Sequence, residues 1–222
     1  MSQVLGILGG MGPRATVKFF SDIVEATKAE KDWDHLRIII DNNVDIPSRT
    51  RSILYGEDSP AALMQEACFA LMSLGCAYIA VPCNSAHHFF DAVVSGTSIP
   101  WINMIEVVAK RLTNKKKVLV LGGYVTITKK LYDKYMDNTA YMNDNSVVYE
   151  IIEALKLGNT VDTLLDDLKK EITKIDPDCV LLACTELPII SGLIPNSVSC
   201  NDIYINEIIN LCGGTPKYEC RI

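Results

Sequence analysis

The apolar residues of this chain fall into two kinds of run. Short blocks rich in valine, isoleucine and leucine occupy residues 4–8, 36–40, 77–82, 118–121 and 179–183. Such nearly unbroken blocks read as strands buried on both faces of a parallel sheet. Between them lie longer segments with helical spacing. The first covers residues 13–30, with Val17, Phe20, Ile23 and Val24 on one face and Pro13 tolerated in the first turn. Others cover residues 59–74, with Ser59 as N-cap and Pro60 at the first helical position, then 86–94, 104–112, 126–136, 160–175 and 202–212. Asp176-Pro177 stops the sixth of these. Residues 147–149 read as a short strand and 42–50 as a polar loop. Strands alternating with helices predict an α/β fold with mainly parallel sheets flanked by helices.

The pattern also repeats. Val4-Leu5-Gly6-Ile7-Leu8-Gly9-Gly10 resembles Lys117-Val118-Leu119-Val120-Leu121-Gly122-Gly123, and each is followed, after further structure, by a strand that ends on a cysteine, Cys83 or Cys184. A Gly-Gly turn after a strand is common to unrelated βαβ units. The matched cysteines are what tie the two copies together. The expected organisation is two pseudo-symmetric α/β domains, residues 1–99 plus 202–222 and residues 100–201, with crossings near Ile99-Pro100 and Cys200-Asn201. Ligands of open α/β sheets bind beyond the carboxyl ends of the strands, which places the active site in the inter-domain cleft.

Composition narrows the function. The chain has 222 residues, enough for one large or two small domains, and 49% of them are apolar. The net charge of −6 is spread along the chain, which argues against a nucleic-acid partner. No uncharged apolar run reaches the length of a membrane span, and Met1-Ser2-Gln3-Val4 lacks the basic start of a signal peptide. The eight cysteines include no C-x-x-C pair, so neither a zinc site nor a disulfide framework is expected. A cytoplasmic protein with reduced, mostly core-filling thiols is the expectation.

A thiol titrates near pH 8.5, close enough to neutrality to act as base or acid. Two thiols on opposite sides of one carbon could remove a proton from one face and deliver another to the opposite face, giving the mirror image of the substrate. Asn84-Ser85 and Thr185-Glu186 could supply hydrogen-bond donors for a carboxylate and for the developing carbanion. The competing reading makes each cysteine a small residue filling a tight turn. Gly10-Met11-Gly12-Pro13-Arg14-Ala15 fits the dinucleotide pattern, but the acid that closes the second strand, Asp41, lies too far on and Pro13 removes an amide. A small anion on that turn is the remaining option. Arg49 and Lys156 are either carboxylate ligands or solvated surface charges, and His87 and His88 lie near enough to Cys83 to influence its thiol.

The motifs Gly9-Gly10-Met11-Gly12-Pro13, Ile46-Pro47-x-Arg49-Thr50, Pro82-Cys83-Asn84-Ser85-Ala86-His87 and Cys184-Thr185-Glu186-Leu187 occur in order over nearly the whole chain. Together they resemble the aspartate/glutamate racemase family, and the first turn resembles its aspartate racemase branch. The resemblance implies a cofactor-independent racemase of an acidic amino acid, with no metal and a homodimeric assembly. It implies Cys83 and Cys184 as the acid/base thiols and Arg49 and Lys156 as ligands of the side-chain carboxylate. Asn84, Ser85 and Thr185 match positions around the α-carboxylate, Met11 and Gly12 positions lining the site, and Thr126 a threonine of the second Gly-Gly turn. Tyr124 and Lys129 depart from the family pattern and unsettle the substrate's size and charge. A maleate isomerase-like or hydantoin racemase-like enzyme, and a non-catalytic binder of an acidic metabolite, are the competing readings; an arylmalonate decarboxylase is disfavoured by the second cysteine.

Overall fold

The computed structural model describes residues 3–218, so Met1, Ser2 and Cys220 lie outside the described residues. The apolar blocks form two parallel sheets. One has the order β2 (Ile38–Asp41), β1 (Leu5–Leu8), β3 (Tyr78–Ala80). The other has the order β5 (Thr139–Ala140), β4 (Val118–Gly122), β6 (Cys179–Ala183), β7 (Ser197–Ser199). In both sheets the first strand in the chain lies between the second and the third. That shared order is the structural form of the repeat in the sequence. Register aligns the carboxyl ends: Leu8 pairs with Asp41, and Gly122 with Ala183.

Each strand divides its side chains between two cores, as a period of two requires. Leu5, Ile7, Val118, Val120, Leu181 and Ala183 face one continuous core with α5 (Met104–Leu112) and α9 (Cys200–Leu211). Leu8 and Ile79 face a second core beneath α3 (Ala61–Ser73), and Leu119, Leu121, Val180 and Leu182 a third beneath α7 (Ser146–Leu157) and α8 (Asp162–Ile175). Strands β1, β4 and β6 are buried throughout, which is why they read as unbroken apolar blocks. The α9 helix ties the parts together. The hydroxyl of its buried Tyr204 donates to the Ile102 carbonyl at 2.7 Å and accepts from the Val81 amide at 3.2 Å. Trp101 continues beside β3 through a parallel bridge to Ile79.

Several elements differ from the sequence pattern. The first helix, α1 (Pro13–Ala26), buries Thr16, Phe19 and Ile23 and leaves Val17, Phe20 and Val24 exposed, so the buried stripe is rotated from the one inferred. It ends at Thr27, whose side chain and amide both bond the Ile23 carbonyl. Pro60 takes the cap position and α3 begins one residue later. Residues 147–149 belong to α7, because Val148, Ile151 and Ile152 lie on one buried helical face. The long helix inferred over residues 126–136 is a short α6 (Tyr124–Thr128), a left-handed Lys130 and a 3-10 turn at Leu131–Lys134. Similarly, residues 86–94 divide into a 3-10 turn at Asn84–Phe89 and α4 (Phe90–Val94). The polar loop contains α2 (Arg49–Tyr55), capped by the Ser48 hydroxyl.

Candidate active site

The loops that follow β1, β2, β3, β4 and β6 converge on one cleft of about 190 Å³. That is below the roughly 300–1,000 Å³ of sites for drug-sized ligands, so the occupant is small. Cys83 lies in extended backbone just past β3, and Cys184 is the first residue after β6. Both line the cleft, with Met11, Arg49, Asn84, Ser85, Thr126, Lys156 and Thr185. Gly12 is the one candidate residue outside the lining; it caps α1, and its carbonyl accepts from the Thr16 hydroxyl at 3.0 Å.

Two unpartnered buried polar atoms belong to lining residues. The Thr126 side chain is fully buried and its hydroxyl has no hydrogen-bond partner among the described residues. The Nε of Arg49 is in the same condition. Buried polar groups are almost always paired, so an orphan in a cleft points to a ligand. Arg49 is also held in place. Its guanidinium donates to the Met11 carbonyl at 2.9 Å and the Pro47 carbonyl at 3.1 Å, pinning the β1 and β2 loops together while leaving other donors free. Within the turn, the Gly10 amide is engaged by the Thr16 hydroxyl at 3.0 Å. Gly10 sits at a φ of +86°, and a Cβ there would lie 2.2 Å from the Asn43 carbonyl oxygen.

Asn84 is oriented by two buried neighbours. Tyr132 donates to its Oδ1 at 2.7 Å, and its Nδ2 donates to the Cys200 sulfur at 3.3 Å. That leaves one amide proton for a ligand. On the opposite wall, the Cys184 thiol donates to Glu186 Oε2 at 2.9 Å, and the Thr185 hydroxyl donates to the same oxygen at 2.9 Å. Burial raises the Cys184 pKa well above the ordinary thiol value, and the adjacent Glu186 charge raises it further. Lys156 is paired with Glu153 at 2.7 Å. Burial works against its charge, but the Glu153 contact and the nearby Glu186 more than offset this, so its pKa is raised. Tyr124 and Tyr149 complete that wall, their rings 5.9 Å apart.

The histidines do not join the cleft. His87 is buried and its Nε2 accepts from Trp101 Nε1 at 3.2 Å and from the Met104 amide at 3.0 Å. Its proton is therefore on Nδ1, which donates to the Cys83 carbonyl at 2.9 Å. Burial lowers its pKa to about 4, so it supplies backbone support and no positive charge near Cys83. His88 and Lys129 line a separate depression with Lys130 and Lys134. Of the two departures from the family pattern, only Tyr124 reaches the cleft.

The sequence model described as Asp/Glu/Hydantoin racemase matches residues 8–203. The chain belongs to this family. The structure of Picrophilus torridus aspartate racemase superposes with a TM-score of 0.84 at 30% identity, covering 97% of this chain and 96% of that one. The broad specificity amino-acid racemase RacX of Bacillus subtilis (strain 168) is 27% identical over 197 residues, 83% of this chain and 86% of RacX. An aspartate racemase homologue from Pyrococcus horikoshii OT3 shares the fold, with a TM-score of 0.76 at 24% identity and coverage of 96% and 99%. The cleft also involves residues that the sequence did not single out for it. Tyr149 and Glu153 lie on the same helical face as Lys156, but reading residues 147–149 as a strand hid the relation. Glu186 was legible only as a neighbour of Cys184, and the pairing of Cys200 and Tyr132 with Asn84 has no local signal.

Proposed function

We infer that this protein racemises an amino acid without pyridoxal phosphate, by two-base chemistry at Cys83 and Cys184, with aspartate as the leading substrate and glutamate next. The observation that carries the reading is the placement of two thiols at the ends of equivalent strands, on one small cleft that also holds Arg49. One thiolate removes the α-proton while the other thiol protonates the opposite face. Asn84, Ser85 and Thr126 offer hydrogen bonds to the α-carboxylate, where negative charge spreads as the carbanion forms, while the Thr185 hydroxyl is committed to Glu186. Arg49 and Lys156 are the cations for a side-chain carboxylate. The similarity to a named aspartate racemase supports this choice.

A specific observation favours a second reading. Lys156 is already paired with Glu153, and Tyr124 and Tyr149 stand beside them, so this wall also suits an uncharged side chain. The similarity to a racemase named for broad specificity points the same way. Polarimetry of purified enzyme with both enantiomers of aspartate, glutamate and a panel of neutral and basic amino acids decides between them. The first reading predicts loss of optical rotation with aspartate above all others, and abolition of turnover in Cys83→Ser and Cys184→Ser. A flat profile across the panel selects the second reading, and turnover surviving in both serine variants contradicts the chemistry.

A further inference from the structure

The two thiols are not in equivalent surroundings. Cys184 donates its proton to Glu186 at 2.9 Å, whereas the Cys83 sulfur makes no hydrogen bond among the described residues. We propose that Glu186 is a positioning residue that keeps Cys184 protonated, making it the resting acid of the pair and leaving Cys83 as the resting base. This rests on the two-thiol reading above and assigns each thiol its part.

The geometry carries the argument. If Cys184 lost its proton, a thiolate would face a carboxylate oxygen at hydrogen-bond distance in a half-buried site, where like charges repel more than in open water. Two cations line the same cleft, and among the described residues neither hydrogen-bonds the Cys184 sulfur or Glu186. From α7, Lys156 is engaged by Glu153; from α2, Arg49 is bound to the Met11 and Pro47 carbonyls. The other titratable groups near Cys184 are Tyr132 and Cys200, both buried and engaged with Asn84, and across the cleft Cys83, Tyr124 and Tyr149, which bring no positive charge. The Thr185 hydroxyl, donating to the same Glu186 oxygen, holds the carboxylate against the thiol.

Turnover from the resting form then runs one way. The Cys83 thiolate takes the α-proton of the enantiomer that presents it. Cys184 gives its own proton to the opposite face. The enzyme is left with a Cys83 thiol and a Cys184 thiolate beside Glu186. Loss of the Cys83 proton to water and gain of one by Cys184 restore the start, with no net proton consumed. The opposite enantiomer needs that second, disfavoured form.

Alkylation by iodoacetamide, a neutral reagent, tests this from pH 6 to 10, with peptide mapping to time Cys83 and Cys184 separately. Thiolates alone react, so each rate follows the ionised fraction, about tenfold per unit of pKa. In the wild type, Cys83 should label roughly ten times faster than Cys184 at pH 8 or more. Glu186→Gln should raise the Cys184 rate by about tenfold and move its profile to lower pH, while Glu186→Asp keeps it slow. The Cys83 rate in each variant reports whether the fold survives. Equal rates for the two thiols in the wild type, or a Cys184 profile unmoved by Glu186→Gln in a protein whose Cys83 rate is normal, overturn the proposal. The wild-type comparison needs no variant. Because labelling requires no turnover, it is independent of the serine variants that test the two-thiol chemistry.

Discussion

At the scale of single residues, Thr126 and His87 show how burial separates binding from support. The Thr126 hydroxyl is buried without a partner, an arrangement that costs about 1–3 kcal/mol in the free protein. Replacement by the isosteric valine should therefore leave stability unchanged or raise it by about 1 kcal/mol, while raising the substrate's KM about tenfold. Chemical denaturation beside steady-state kinetics checks both halves; a loss of stability with normal KM would make Thr126 a core residue and nothing more. His87 acts through the fold. Its pKa falls to about 4 from an ordinary 6.5, so the unfolded chain binds a proton that the folded protein refuses. Stability is full above pH 6.5 and should fall as pH drops toward 4, by about 3 kcal/mol from this group. Urea melts of the wild type and His87→Gln measure it: the variant should be less stable at pH 7 and show a flatter acid limb. Cys83, Cys184 and Arg49 were legible because strand ends and the cleft could be located from the apolar blocks. Tyr132 and Cys200 were not, since their contacts with Asn84 join distant parts of the chain.

At the scale of elements, the buried strands were readable because parallel strands covered on both faces leave an unbroken apolar signal. The short pieces were not. β5 and β7 are two and three residues long, too brief for any alternation to show. The start of α7 was misread because Val147-Val148-Tyr149 has strand propensity, while the packing of Val148, Ile151 and Ile152 against the sheet decides for helix. The turn after β1 makes the sharpest prediction here. Gly10→Ala should destabilise the protein by about 3 kcal/mol, since a left-handed backbone and a collision with the Asn43 carbonyl act together. Because Arg49 is tied to Met11 in that turn, the variant should also weaken substrate binding. Thermal melts and KM measurements on the same sample test this, and an alanine variant that melts like the wild type contradicts the assignment.

At the scale of the whole molecule, the repeat in the sequence becomes two sheets of matching order that share one core through α5 and α9. Thiols buried in that core, and Cys68 in the core beneath α3, make stability sensitive to alkali. Burial pushes Cys68 and Cys200 to about 12 and Cys179 and Cys212 to about 11, above the ordinary thiol range. Above pH 9 the unfolded chain releases thiol protons that the folded protein retains, so stability falls as pH rises. Each thiol contributes about 1 kcal/mol per pH unit, enough together to unfold a marginally stable domain near pH 11. Circular dichroism melts between pH 8 and 11 should show this fall, and a flat profile would contradict it. The central claim concerns the cleft between the sheets and is tested most directly by racemising L-aspartate in heavy water. Two-base chemistry predicts that newly formed D-aspartate carries deuterium at the α-carbon while the remaining L-aspartate keeps its proton during early turnover. Deuterium entering recovered L-aspartate as fast as the D product, or no exchange with any amino acid tested, would contradict it.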